Sequence, residues 1–105
     1  MSNPIRLWLD DMRPMPPGFN RHAKSVEEAL PYLNSDLVEI GFDHDLGPKE
    51  LFGDGYEIAK LVEQMAFEGT LPRIKWSIQS DNGPGRENIR RAMESAERFW
   101  RERAT

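Results

Sequence analysis

Three apolar stretches of this 105-residue chain each run into side chains that can bind metals or move protons: Asp10-Asp11, then Asp43-His44-Asp45, then Gln79-Ser80-Asp81-Asn82. Carboxylates grouped in this way are oxygen donors for a hard cation, and their spacing along the chain is that of successive strand ends. Two unit charges about 6 Å apart at an effective dielectric of ~20 repel by roughly 3 kcal/mol, so clustered acids require a cation, a proton or a folded-in base such as Arg13 or Lys49. Oxygen ligands without thiolates favour Mg²⁺, Mn²⁺ or Ca²⁺ over zinc. A single Asp at a strand end reads as a turn cap, but two acidic pairs on neighbouring strands point to Asp10, Asp11, Asp43 and Asp45 around a divalent cation.

The segment Ser80-Asp81-Asn82-Gly83-Pro84-Gly85 complements these acids. Its glycines, Gly85 included, let backbone N–H groups approach an anion, and a following helix N-terminus adds partial positive charge, so a phosphate fits there. Alone the motif is a turn; beside the acids it suggests metal and carboxylates on one side of a phosphoryl group and hydroxyl, amide and backbone donors on the other. His44 is the histidine at this edge and the natural acid/base at neutral pH, against the alternative that it orients Asp43 or Asp45 or packs beneath the loop. His22 reads as a surface residue.

Positioning these groups requires a parallel sheet. Residues 5–9 and 37–42 read as buried strands, 19–24 as a short edge strand and 73–80 as a third strong strand in which Ile74, Trp76 and Ile78 alternate with polar residues. Residues 12–18, with Pro14, Pro16 and Pro17, form a semi-rigid loop under which Met12 and Met15 fill gaps. Ser25-Val26-Glu27-Glu28 is a capping box opening a helix that Pro31 shortens. Residues 48–53 read as loop, and Asp54 caps a helix with the stripe Ile58, Leu61, Val62, Met65 and Ala66, ended by Gly69. A last helix starts at Arg86 with Ile89, Ala92, Met93, Ala96 and Trp100 on one face, its arginines paired at i,i+4 as Glu87–Arg91, Glu94–Arg98 and Glu97–Arg101. Strands alternating with helices give an open parallel α/β sheet, a single domain over residues 1–105, whose ligand crevice lies at the carboxyl ends of the strands. Successive strand residues face opposite ways, so Asp10 and Asp11 can share a crevice only where the chain has left strand geometry.

Composition narrows the function. There is no cysteine, which excludes a disulfide scaffold, a zinc-thiolate site and a cysteine nucleophile. Residues 1–55 hold ten acids and five bases and residues 56–105 eight acids and nine bases, a distribution that argues against duplex DNA as a partner. No apolar run is long enough for a membrane span, and the start Met1-Ser2-Asn3-Pro4-Ile5-Arg6 does not read as a signal peptide, so a cytoplasmic address is expected.

An acidic pair after the first strand, an Asp after a central strand and a Ser ending the next resemble the receiver domain of response regulators, in which such acids hold Mg²⁺ beside an aspartate that takes a phosphoryl group. Asp10, Asp11, Asp43 and Ser80 match that pattern. A fifth strand with its lysine does not, which disfavours phosphorylation of Asp43. A closer resemblance, over nearly the whole chain, is to the cyclic-phosphate processing receiver domains, on the segments Leu7-Trp8-Leu9-Asp10-Asp11-Met12-Arg13-Pro14, Phe42-Asp43-His44-Asp45-Leu46-Gly47, Gly55-Tyr56 and Ser80-Asp81-Asn82-Gly83-Pro84-Gly85-Arg86-Glu87-Asn88.

The resemblance implies a small three-layer, receiver-like (flavodoxin-like) fold truncated to about four strands, and action on cyclic phosphate ends of RNA or cyclic nucleotides, in RNA processing and phage–host conflict. It implies Asp10, Asp11, Asp43 and Asp45 as pocket residues holding Mg²⁺ or Mn²⁺, His44 with Asp43 as catalytic, and Arg13, Ser80 and Asn82 as phosphate contacts. The family's pattern has a histidine where this chain has Gln79, which cannot exchange a proton at neutral pH. Either Asp81 takes over, or a metal activates water, or the chain binds without turnover. Two readings follow: a metal-assisted phosphodiesterase, or a non-catalytic module of receiver ancestry that binds a nucleotide, a phosphate end or a protein partner.

Overall fold

Alternating apolar residues place four strands in one sheet of the computed structural model, which describes residues 3–104. Met1 and Ser2, where the segment read for a leader begins, lie outside the described residues. The strands are β1 (Ile5–Leu9), β2 (Arg21–Ala23), β3 (Leu37–Phe42) and β4 (Lys75–Ile78), all parallel in the order β2-β1-β3-β4. Strand β4 is shorter than the expected 73–80 span.

The register puts Leu7 beside Ile40 and Ile40 beside Trp76, so Ile5, Leu7, Leu9, Ile40 and Phe42 share one face. Against that face pack α1 (Val26–Ala29), α3 (Gly55–Glu68) and α4 (Gly83–Ala104), through Ala29, then Ile58, Val62 and Ala66, then Ile89, Met93 and Ala96. The opposite face carries Trp8, His22, Glu39, Gly41 and Ser77, and its cover is loop rather than helix. Trp8 Nε1 donates to the Arg13 carbonyl at 3.1 Å, and the Phe19 ring meets the Trp8 indole edge-on at 5.0 Å. The third layer is therefore partial and made of the proline loop. Trp8, not methionine, fills the space beneath it: Met12 is 82% exposed and Met15 38%, which corrects the gap-filling role expected of both.

The helix starts follow capping chemistry. Ser25 Oγ accepts from Glu28 N at 3.1 Å, but Glu28 accepts from Lys24 N instead of closing a box on Ser25. Pro31 has no N–H to continue the helix, and the chain tightens into a 3₁₀ turn at Leu30–Tyr32. At Asp54 both limbs of the box are present, Glu57 N to Asp54 and Asp54 N to Glu57. Leu61, on the margin of the stripe, is partly exposed, and Gly69 ends α3 in left-handed geometry.

Two expectations of loop give way to helix. Residues 49–52 form the single turn α2 (Lys49–Phe52), because the Pro48 carbonyl accepts from both Leu51 N and Phe52 N at 3.0 Å. Helix α4 starts at Gly83, not Arg86. Asn82 caps it, Oδ1 accepting from Gly85 N at 2.9 Å and the carbonyl from Arg86 N at 2.8 Å, and Pro84 falls in the first turn, where its missing donor costs nothing. On its surface Glu87–Arg91 forms as expected at 3.4 Å. Glu94 instead meets Arg90, and Glu97 meets Arg73 ahead of β4, both at 2.9 Å. An exposed i,i+4 pair is worth only about 0.2–0.5 kcal/mol, so a competing neighbour readily displaces it.

Candidate metal and phosphate site

The chain leaves strand geometry directly after Leu9 and Phe42, which lifts the parity constraint on the acids. Asp10 N still bonds to the Ala23 carbonyl and Asp43 N to the Leu9 carbonyl, so the first acid of each motif stays anchored to the sheet. Asp10 is fully buried, and its Oδ1 accepts from Met12 N at 2.9 Å and Arg13 N at 2.8 Å, turning the chain into the proline loop. His22, expected as a surface residue, is half-buried and bonds through Nε2 to the Asp10 carbonyl at 2.8 Å. Asp10, Asp11 and Asp43 each present a carboxylate oxygen, all within 4.8 Å of one another.

Three carboxylates so close repel, and the balance comes from Arg13. Its guanidinium lies 3.2 Å from Asp10, 3.8 Å from Asp43 and 3.0 Å from Asp81. The hydrogen bond to Asp10 is the largest influence raising the Arg13 pKa. The Asp43 pKa is raised from its ordinary value, first by burial and then by the Asp10 charge, against the opposing pull of Arg13, the His44 backbone N–H and Ser80. Lys49, the other candidate base, sits on Asp54 at 3.6 Å. One Arg does not complete the cluster, because Asp11 Oδ1 is buried with no hydrogen-bond partner. A hard divalent cation fits this donor set: oxygen ligands only, already converged, with one oxygen unmatched.

Asp45 does not join the three. The chain turns at an isolated antiparallel bridge between Asp45 and Asp54, and Gly55 N bonds back to the His44 carbonyl at 2.8 Å. The Asp45 carboxylate takes His44 Nδ1 at 2.9 Å and Asn82 Nδ2 at 3.3 Å; the His44 bond is the main cause of its lowered pKa. Asp45, expected among the metal ligands, is thus placed beside His44 and Asn82. His44 Nε2 faces Asp54 at 3.7 Å, so the ring stands between two carboxylates. Asp54, legible in the sequence only as a helix cap, is thus also part of this second cluster, and a cap signal gives no indication of what the outer carboxylate oxygen meets. Gly55 is required beside it, since a β-carbon there would collide with the Asp43 carbonyl oxygen.

The expected phosphate contacts are committed within the protein. Ser80 is buried and accepts from Asn82 N at 3.1 Å. Asn82 spends its oxygen on the Gly85 N–H and its amide on Asp45, and Arg13 is held by the acids. Asp81 is exposed and tied in through Arg13. Arg86, which motif spacing did not single out, holds the loop from below, Nη1 donating to the carbonyls of Ile78 and Ser80. Gln79 donates to the Leu9 carbonyl at 3.2 Å, and its buried Oε1 has no partner; it lies over Gly41 on the Trp8 face.

No curated protein and no solved structure matches this chain. The sequence model of the cyclic-phosphate processing receiver domain matches residues 5–95, a span that contains both carboxylate clusters, the proline loop and the capped start of α4. With its parallel sheet in the order β2-β1-β3-β4 and its acids at the carboxyl ends of β1 and β3, the chain belongs to the cyclic-phosphate processing receiver domain family.

Proposed function

We propose that this chain holds Mg²⁺ or Mn²⁺ on Asp10, Asp11 and Asp43 and opens the cyclic phosphate of an RNA end or a nucleotide at that edge. The observation that carries the reading is the convergence of three carboxylates with Asp11 Oδ1 buried and unmatched. A cation bound there supplies Lewis acidity toward a phosphoryl oxygen and a lowered pKa for water.

The chain's own residues do the rest. Arg13 exchanges its hold on Asp43 for the non-bridging oxygens of the phosphate, a fork geometry suited to that group. His44 is oriented by Asp45 at Nδ1, which leaves Nε2, 3.7 Å from Asp54 and beyond hydrogen-bond range, as the nitrogen that exchanges a proton. A water oxygen adds to phosphorus and releases a proton to solvent, one ring P–O bond breaks, and the leaving oxygen takes a proton from His44, which solvent reprotonates, giving a phosphomonoester.

The test is incubation with 2′,3′-cyclic nucleotides and short RNAs with cyclic ends, with and without Mg²⁺ or Mn²⁺. Metal-dependent phosphomonoester formation that His44→Ala abolishes is expected; turnover at the wild-type level in that variant removes His44 from the mechanism. A second reading, a module that binds a nucleotide, a phosphate end or a protein partner without turnover, is favoured by Gln79, whose amide moves no proton. Saturable binding with no product over long incubation supports it.

A further inference from the structure

We propose that the groove beside Asp11 is a nucleobase subsite, with Phe52 as its stacking platform; this rests on the reading of Asp10, Asp11 and Asp43 as the phosphate-processing edge. The groove encloses about 800 Å³ and is walled by Asp11, Leu46, Pro48, Leu51 and Phe52. Asp11 belongs both to it and to the carboxylate cluster, so the two are continuous.

Gly47 joins them. Its φ is +96°, a conformation open to glycine, and the position a β-carbon would take there is 3.1 Å from Phe52 Cδ2 and 3.9 Å from Asp11 Oδ2. The ring and the carboxylate are neighbours across a residue with no side chain. The platform is held in place: the Pro48 carbonyl fixes Leu51 and Phe52 in α2, and Gly53, at φ +73°, ends the turn.

Leu51 is 74% exposed and Phe52 41%, two large apolar groups in succession on a single helical turn. The rim adds Lys24, Glu27 and Glu28. An apolar, aromatic floor with hydrogen-bonding groups at the margin suits the π-face and N–H edge of a heterocycle, and an unpaired base at an RNA end offers both. Substrates with a base are therefore distinguished from cyclic phosphates without one.

The experiment compares calorimetric affinities of the wild type, Phe52→Ala and Phe52→Trp for a 2′,3′-cyclic nucleotide, for glycerol 1,2-cyclic phosphate, which has no base, and for Mn²⁺ alone. In the wild type the nucleotide is expected to bind more tightly than the base-free ester. Phe52→Ala is expected to lower nucleotide affinity roughly tenfold, with ester and Mn²⁺ affinities and the circular dichroism spectrum unchanged, and Phe52→Trp to restore it. Equal wild-type affinities for nucleotide and ester, or nucleotide affinity unaltered in Phe52→Ala, overturn the base subsite while leaving the phosphate edge intact. Loss of Mn²⁺ and ester binding from the wild type itself overturns the phosphate edge, and the subsite falls with it.

Discussion

The His44 imidazole lies flat against Gly85: a β-carbon on that glycine would stand 2.7 Å from Cδ2 and 2.8 Å from Nδ1 of the ring. The first turn of α4 and the β3 exit are thereby in direct contact. Gly85→Ala is expected to destabilise the fold by about 1–3 kcal/mol, the usual result of inserting a methyl into filled space. Chemical denaturation measures the loss, and the His44 ring resonances should shift in the same variant. An unchanged denaturation midpoint contradicts the contact.

Asp10 and Asp11 are adjacent but should separate cleanly. Asp10→Ala strips the Met12 and Arg13 N–H groups of their acceptor and is expected to cost about 1–3 kcal/mol. Asp11→Asn alters a carboxylate whose Oδ1 has no partner, so it should leave thermal stability intact while abolishing Mn²⁺ binding. Melting curves with and without Mn²⁺ distinguish the two outcomes.

Asp43 gives a pH dependence whose sign is set by burial. Folding raises its pKa, so the folded state holds the proton more tightly than the unfolded chain does, and ionisation costs stability at every pH above the raised value. Asp43→Asn should therefore raise the melting temperature at neutral pH, and the gain should shrink as pH falls through the raised pKa and vanish below the ordinary carboxylate range. A destabilised Asn variant at pH 7 would show that the ionised carboxylate stabilises the fold.

Arg13 is expected to oppose metal and assist phosphate. With Arg13→Gln the carboxylates lose their internal counter-charge. Mn²⁺ should bind more tightly to that variant in the absence of ligand, and the cyclic ester more weakly in the presence of metal. Changes of the same sign in both titrations would assign Arg13 to structure alone.

The three converging acids are legible in the sequence, because buried parallel strands must deliver their carboxyl ends to one edge and Asp10, Asp11 and Asp43 directly follow β1 and β3. The place of Asp45 is not, since it depends on the bridge to Asp54, a contact that neither the strand-end motif of the one nor the helix-cap signal of the other implies. The resemblance implies Asn82 as a phosphate contact, but its capping of α4 is hidden behind Gly83-Pro84-Gly85, which reads as a turn although Asn followed by an early proline is equally a helix start. The commitment of Arg13 was one of several ways to balance the acids, and charge counting alone could not choose between it and Lys49.

The bond between the Trp8 indole and the Arg13 carbonyl gives the protein an optical gauge of its own pocket. Whatever draws the guanidinium off the acids pulls on a backbone that rests on a fluorophore. With Trp76→Phe and Trp100→Phe silencing the other two indoles, emission from Trp8 should report occupancy without a label.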